Sequence, residues 1–183
     1  NVGDADGDGR EDVFVAQNFF GSFADITRED SGQGLWLRGA GNGTFTPLDS
    51  IGSGIQILGE QRGAALTDFN HDGRVYLAVS QNNGPTRLYL NQGAKPGLRV
   101  RLHGPAGNPE MIGTKMRVLY AGGKRGPCRL VQAGSGYWSQ DGSTQVLGLA
   151  EPATGLWIQW PGGREQTVPI AENATEVQVE YIK

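Results

Sequence analysis

The chain has 183 residues, a length that fits one or two domains. Its net charge of −3 gives no global case for nucleic-acid binding, and no apolar run is long enough to span a bilayer as a helix. Thirty glycines, many short apolar runs and the lack of any sustained 3.6-residue apolar period point to an all-β, turn-rich protein.

The first predicted element is a loop, Asp4-Ala5-Asp6-Gly7-Asp8-Gly9-Arg10-Glu11-Asp12. Four carboxylates stand at its positions 1, 3, 5 and 9, with Gly9 at position 6. Packed this closely, the acids repel one another, and a hard cation turns that repulsion into binding. Calcium suits the set because it accepts six to eight oxygen ligands in flexible geometry. Gly9 lets the backbone turn sharply enough to point oxygens inward. An EF-hand would carry a bidentate Glu at position 12 and run into a helix. Position 12 here is Val15, and Val13-Phe14-Val15-Ala16-Gln17-Asn18 reads as a strand. The expected donors are therefore the side chains of Asp4, Asp6, Asp8 and Asp12 and the carbonyl of Arg10, with water completing the shell. The alternative is an acidic, Gly-rich turn without metal. The chain opens almost directly on this loop, so the strand leading into it is expected to be missing and the chain to be a piece of a longer protein.

A second copy of the loop, Asp68-Phe69-Asn70-His71-Asp72-Gly73-Arg74, begins 64 residues after Asp4. Behind it, Leu77-Ala78-Val79-Ser80-Gln81-Asn82 aligns with the strand behind the first loop. A further strand follows in each copy, Leu35–Arg38 and Leu88–Asn91. Sixteen residues separate Asn18 from Leu35, against five between Asn82 and Leu88. The extra length, within residues 19–34, reads as a surface excursion packing its own aromatics, or as a lid or binding loop. The second loop has a neutral oxygen donor, Asn70, at position 3 and Tyr76 at position 9. Asp68, Asn70, Asp72 and the carbonyl of Arg74 are thus a weaker candidate calcium set. The alternative is a turn held by Asx-type hydrogen bonds, with His71 facing solvent.

A repeat of this size with several short strands per unit is the mark of a β-propeller-type architecture. The DxDxDGxxD loop, the strand behind it and Gly41-Asn42-Gly43-Thr44-Phe45 resemble FG-GAP (VCBS-type) propeller repeats. The resemblance implies calcium in the loop, on one face of the propeller, held by Asp4, Asp6, Asp8, the Arg10 carbonyl and Asp12.

Lys95-Pro96-Gly97 reads as a junction, dividing residues 1–96 from 97–183. The remainder reads as short strands at 98–102, 116–120, 128–133, 144–149, 156–160, 165–170 and 177–181, each with one apolar face. The single cysteine, Cys128, excludes an internal disulfide and reads as a small buried strand residue. Such a set implies a β-sandwich or small barrel. Ile112-Gly113, Ala133-Gly134-Ser135-Gly136-Tyr137-Trp138-Ser139-Gln140, Leu147-Gly148-Leu149 and Ile158-Gln159-Trp160-Pro161-Gly162-Gly163-Arg164 resemble the ASPIC/UnbV domain, over about residues 98–182. In that resemblance it follows FG-GAP-type propellers in the cartilage acidic protein family and in many bacterial secreted proteins. The whole chain is thus read as about one and a half propeller blades followed by a β-sandwich-like domain. Within 133–140, Tyr137, Trp138 and Gln140 are candidate ligand-binding residues for a carbohydrate or peptide. The preferred reading of that segment is a bulge or corner whose aromatics plug the sandwich.

No nucleophile elbow, Walker A loop or histidine metal motif occurs, and His71 and His103 fall on different segments. The expectation is a non-enzymatic, calcium-stabilised extracellular binding or adhesion module, secreted or on a bacterial surface or in the periplasm. Its partner is an unidentified protein or glycan, with neither nucleic acid nor membrane insertion. One alternative is a carbohydrate-binding module using Tyr137, Trp138 and Trp36; another is an accessory segment of a larger secreted enzyme. Because one and a half repeats cannot close a propeller, self-association of the chain is also expected.

Overall fold

The β-branched and aromatic residues behind the first acidic loop form a strand, as their propensities dictate. In the computed structural model, which describes residues 1–21, 25 and 32–182, this strand is β2, Asp12–Val15. A strand does lead into the loop: β1, Val2–Gly3, pairs antiparallel with β2 across it. Leu35–Gly39 (β3) and Phe45–Leu48 (β4) complete a four-stranded sheet in the order β1-β2-β3-β4. The β3–β4 hairpin needs Gly41 and Gly43, whose φ angles of 78° and 86° favour glycine. Most of the excursion within 19–34, including the expected lid or binding loop, lies outside the described residues.

A single turn of helix, α1 at Ser50–Ser53, is capped by Asp49, whose carboxylate accepts from the Gly52 amide at 2.7 Å. The second repeat unit is a three-stranded antiparallel sheet of Glu60–Thr67 (β5), Tyr76–Asn82 (β6) and Gly84–Tyr89 (β7). Phe14, Trp36, Ile55, Ile57, Leu66, Leu77 and Val79 form one core shared by these two sheets. Phe14 meets Trp36 edge-on at 5.3 Å. Trp36 is therefore a core residue, not the surface stacking face that the carbohydrate reading required of it.

The second half has seven strands: Leu98–His103 (β8), Lys115–Tyr120 (β9), Arg129–Leu130 (β10), Gln145–Leu147 (β11), Ala153–Gln159 (β12), Glu165–Pro169 (β13) and Glu176–Glu180 (β14). They build two sheets, β10-β9-β12-β13 and β11-β8-β14, and neither closes into a barrel. All their pairings are antiparallel except β14 on β8. Leu98, Val100, Met116, Val118, Leu156, Ile158 and Trp160 fill this second core. Each such aliphatic side chain contributes roughly 1.5–3 kcal/mol on burial. Trp160 ends its strand in a tight turn, with the Gly163 amide donating to its carbonyl at 2.9 Å.

Two expectations change here. Cys128 is exposed and precedes β10, so it is no core residue. Strand β8 is wet on one face only beyond its start: Leu98, Arg99 and Val100 are all buried, while Arg101 is exposed. Its apolar side faces the second core, and on its other side Arg99 is covered by the second acidic loop.

Candidate metal centre

Both acidic loops use the same backbone solution. Positions 4 and 6 lie in the left-handed region in each copy, at Gly7 and Gly9 (φ 74° and 85°) and at His71 and Gly73 (φ 67° and 80°). His71 adopts it without being glycine and points to solvent, as expected. The result is a tight curl around the position-1 carboxylate. In the first loop, Asp4 Oδ1 accepts from the amides of Gly7 (2.7 Å) and Asp8 (3.1 Å), and Oδ2 from that of Gly9 (2.7 Å). In the second, Asp68 Oδ1 accepts from Asp72 (3.1 Å) and Oδ2 from Gly73 (3.0 Å).

The curl brings three of the expected ligands together. A carboxylate oxygen from each of Asp4, Asp6 and Asp8 lies within 4.8 Å of the others. Asp12 stands apart from that group. Its two oxygens accept from the Ala5 and Gly39 amides, each at 2.8 Å, so it braces the loop against β3. The Arg10 amide donates to Asp8 at 2.9 Å. Arg38 pairs with Asp6 at 3.0 Å and Arg10 with Asp8 at 3.6 Å, both arginines being half exposed. Among the described residues, neither Asp4 nor Asp12 is paired with a cationic side chain, although both are buried. Burial pushes the Asp4 carboxyl up to about 6, and the charges of Asp8 and Asp12 add to that rise against the Gly9 and Gly7 hydrogen bonds. Burial raises Asp12 as well. Three converging carboxylate oxygens, only two of them from groups paired with exposed arginines, form a donor set that fits a hard divalent cation.

The second loop differs in what balances its charge. Asp68 is paired with Arg99 Nε at 2.7 Å. Asp72 accepts from the Tyr76 hydroxyl (2.5 Å), Arg74 Nη1 (3.0 Å) and the Asn70 amide (3.2 Å). Burial pushes Asp72 up, but these hydrogen bonds outweigh it and hold the carboxyl below the usual range. Asn70, Asp72 and Arg74 are thus bound to one another, and Asp68 to a cation that the chain itself supplies.

Sequence reasoning missed what lies behind the loops. A Cβ placed on Gly148 would sit 1.7 Å from Asp4 Oδ2, so the backbone after β11 presses directly on the first loop. The Leu98–Leu147 pairing brings the starts of the two contacts together, and Gly97 donates to the Gly73 carbonyl at 2.8 Å. Asn91 ties the loops to each other, its side-chain amide donating to Ala5 O (2.7 Å) and Val75 O (3.1 Å). Glycine in Leu147-Gly148-Leu149 was the available signal for the first contact. Arg99 gave none, because an arginine in an alternating strand reads as its solvent side.

The other candidate residues behave differently. Tyr137 and Trp138 are 62% and 82% exposed and stack on each other at 5.1 Å, so they do not plug the sandwich. Gln140 is exposed beside them. His71 and His103 do not meet; His103 lies against Gln178 at 3.2 Å.

Two family models match the chain: FG-GAP-like repeat over residues 4–79, and ASPIC and UnbV over residues 104–182. Among curated proteins, a stretch of 72 residues is 36% identical to cartilage acidic protein 1 of Mus musculus and 33% identical to those of Xenopus tropicalis and Homo sapiens. That stretch is 39% of this chain and 11% of each relative, so the chain covers a small part of their length.

The raised Asp4 carboxyl has a direct consequence for pH. Without metal, the fold binds this proton more tightly than the unfolded chain, so the group's contribution to stability falls as pH rises from about 4 through 6. A cation needs the ionised form and reverses that penalty. The gap in melting temperature between calcium and EDTA should therefore be widest at pH 7.5 and shrink towards pH 5; a constant gap would contradict this. Gly148→Ala should lower stability by about 1–3 kcal/mol through overpacking. Gly107→Ala, where a Cβ meets nothing within 4 Å, should change it little; urea unfolding of both variants checks the pair.

Proposed function

We propose that this chain, an FG-GAP-like repeat followed by an ASPIC and UnbV domain, is a calcium-stabilised, non-enzymatic binding module of an extracellular protein. The observation that carries the reading is the convergence of the Asp4, Asp6 and Asp8 carboxylates in a loop without enough positive charge to balance them. These three side chains and the Arg10 carbonyl would hold the ion. Asp12 can join them, because each carboxylate oxygen that accepts from an amide keeps a second lone pair. When bound, the ion supplies charge neutralisation and rigidity. The residues around the loop transmit that rigidity: Gly39 and Ala5 through Asp12, and Gly148 through its contact with Asp4.

A structural role suits the surroundings better than a catalytic one. Glu11, the further carboxylate of the loop, is held by Arg129 at 2.7 and 2.8 Å. Residues 1–96 and 97–183 act in this reading as two modules sharing one joint. Secretion follows from the millimolar calcium that a modest-affinity loop requires. The cartilage acidic protein relatives agree with an extracellular setting. Strands β4 and β7 each end their sheets among the described residues, which leaves edges for another protein or for a second copy of the chain.

One observation favours a second reading, in which the partner is a glycan. Two stacked, largely exposed aromatic rings at Tyr137 and Trp138 present a flat apolar face, which suits the face of a pyranose ring, and Gln140, two residues on, is exposed as well.

Calcium at ten times its dissociation constant should stabilise the chain by about 1.4 kcal/mol, raising the melting temperature by roughly 3–6 °C at this chain length. Calorimetry against EDTA measures this, and an unchanged melting temperature with no binding heat would remove the metal from the account. For the glycan reading, a glycan array should give signals that Trp138→Ala abolishes while the calcium response stays intact; an array without signal rules that reading out.

A further inference from the structure

The two acidic loops share a backbone and differ in what balances their charge. In the second loop the position-1 carboxylate, Asp68, has no exposed side-chain surface, and its partner Arg99 is 7% exposed. The Arg99 guanidinium reaches further, with Nη1 donating to Glu176 on β14. Its planar fork thus spans a loop of the repeat segment and two strands, β8 and β14, of the second half. The second anion of the loop, Asp72, has its own guanidinium from Arg74, which also donates to the Ala94 carbonyl at 2.8 Å. Tyr76 stands where the first loop has Asp12 and donates a proton to Asp72 instead of adding a charge. Each carboxylate of the second loop therefore already faces a guanidinium, one of them fully buried against Arg99.

We propose that the second loop takes no calcium, and that Arg99 is its built-in cation, making the loop a metal-independent latch between the repeat segment and the sheet that follows. The first loop meets the same sheet one strand away, through Gly148 after β11, without such an arginine. The joint thus has two fastenings side by side. One is fixed by a guanidinium, and the other is left for an ion from solution. Calcium depletion then loosens the first fastening while the second holds the halves together.

The test is calorimetric titration of the full 183-residue chain with calcium after dialysis against EDTA. The unmodified chain should take up one equivalent, and Asp6→Asn with Asp8→Asn should take up none. An equivalent that survives in that double variant and disappears on adding Asp72→Asn would overturn the proposal. Arg99→Gln should lower the melting temperature by the same amount in EDTA and in calcium, because the latch is metal-free. If that variant does not fold, Arg99→Lys keeps the charge but loses the fork, and should melt below the unmodified chain in EDTA. An unchanged melting temperature in EDTA for either variant overturns the latch. A wild-type chain that binds no calcium would sink the functional reading above, while the EDTA melting data still decide the latch separately.

Discussion

Asp4 and Asp68 hold the first position of two copies of one loop, and both carboxylates are withdrawn from water. Taking an ion out of water costs several kcal/mol even after the protein relaxes, so a buried carboxylate needs an opposite charge or must take up a proton. The amides that curl around each one supply hydrogen bonds but no net charge. The compensation of these two anions is the constraint on which the joint between the two halves rests. At Asp68 a guanidinium meets it at 2.7 Å. At Asp4 the chain offers none among its described residues, and the carboxyl is pushed up to about 6 by its burial.

That difference is placed where it has the most structural effect. The loops do not stand on an outer rim. They lie against the start of β8 and the end of β11, and residues 91–97 thread between them. Gly7 faces the Lys95 carbonyl, while Gly73 and Gly97 bond through their backbones. Further ties flank this joint. Arg129 holds Glu11, and Asp141 accepts from the Leu66 amide at 2.7 Å and from the Asn1 side chain at 2.8 Å. A change in charge at the first loop is therefore felt at the contact between the halves rather than at a distant surface. Under the proposed function, such a module presents one arrangement of its loops when calcium is abundant, a property that suits recognition outside the cell.

Much of this was legible in the chain. The Asp spacing and the strand behind it gave the loop and excluded an EF-hand, and alternating apolar residues located β8, β9 and β14 to within a residue and β12 to within three. What was not legible depended on contacts between distant segments. Strand β5 carries Glu60, Gln61, Arg62, Gly63 and two alanines, a composition that argues against a strand. It is a strand because it pairs along its length with β6, and its small residues let the second half approach: a Cβ on Gly63 would lie 2.9 Å from the Trp138 carbonyl. Arg99 looked like a solvent-facing residue because its strand alternates, and only the loop packed over it makes it buried. Asp12 is expected among the ligands from its position in the motif; its carboxylate also accepts from two backbone amides, bonds that no spacing rule encodes. Tyr137 and Trp138 were expected inside because aromatics usually fill a sandwich, but Trp160 and its neighbours already fill it.

One motif is thus put to two proposed uses, a cation site at the first loop and a permanent ion pair at the second. The most direct measurement is an anomalous-difference map from crystals of the chain grown in calcium. The account predicts one calcium peak, enclosed by Asp4, Asp6 and Asp8, with the Arg99 guanidinium against Asp68 in the second loop. A calcium peak in the second loop with Arg99 displaced, or no peak in the first, would contradict it.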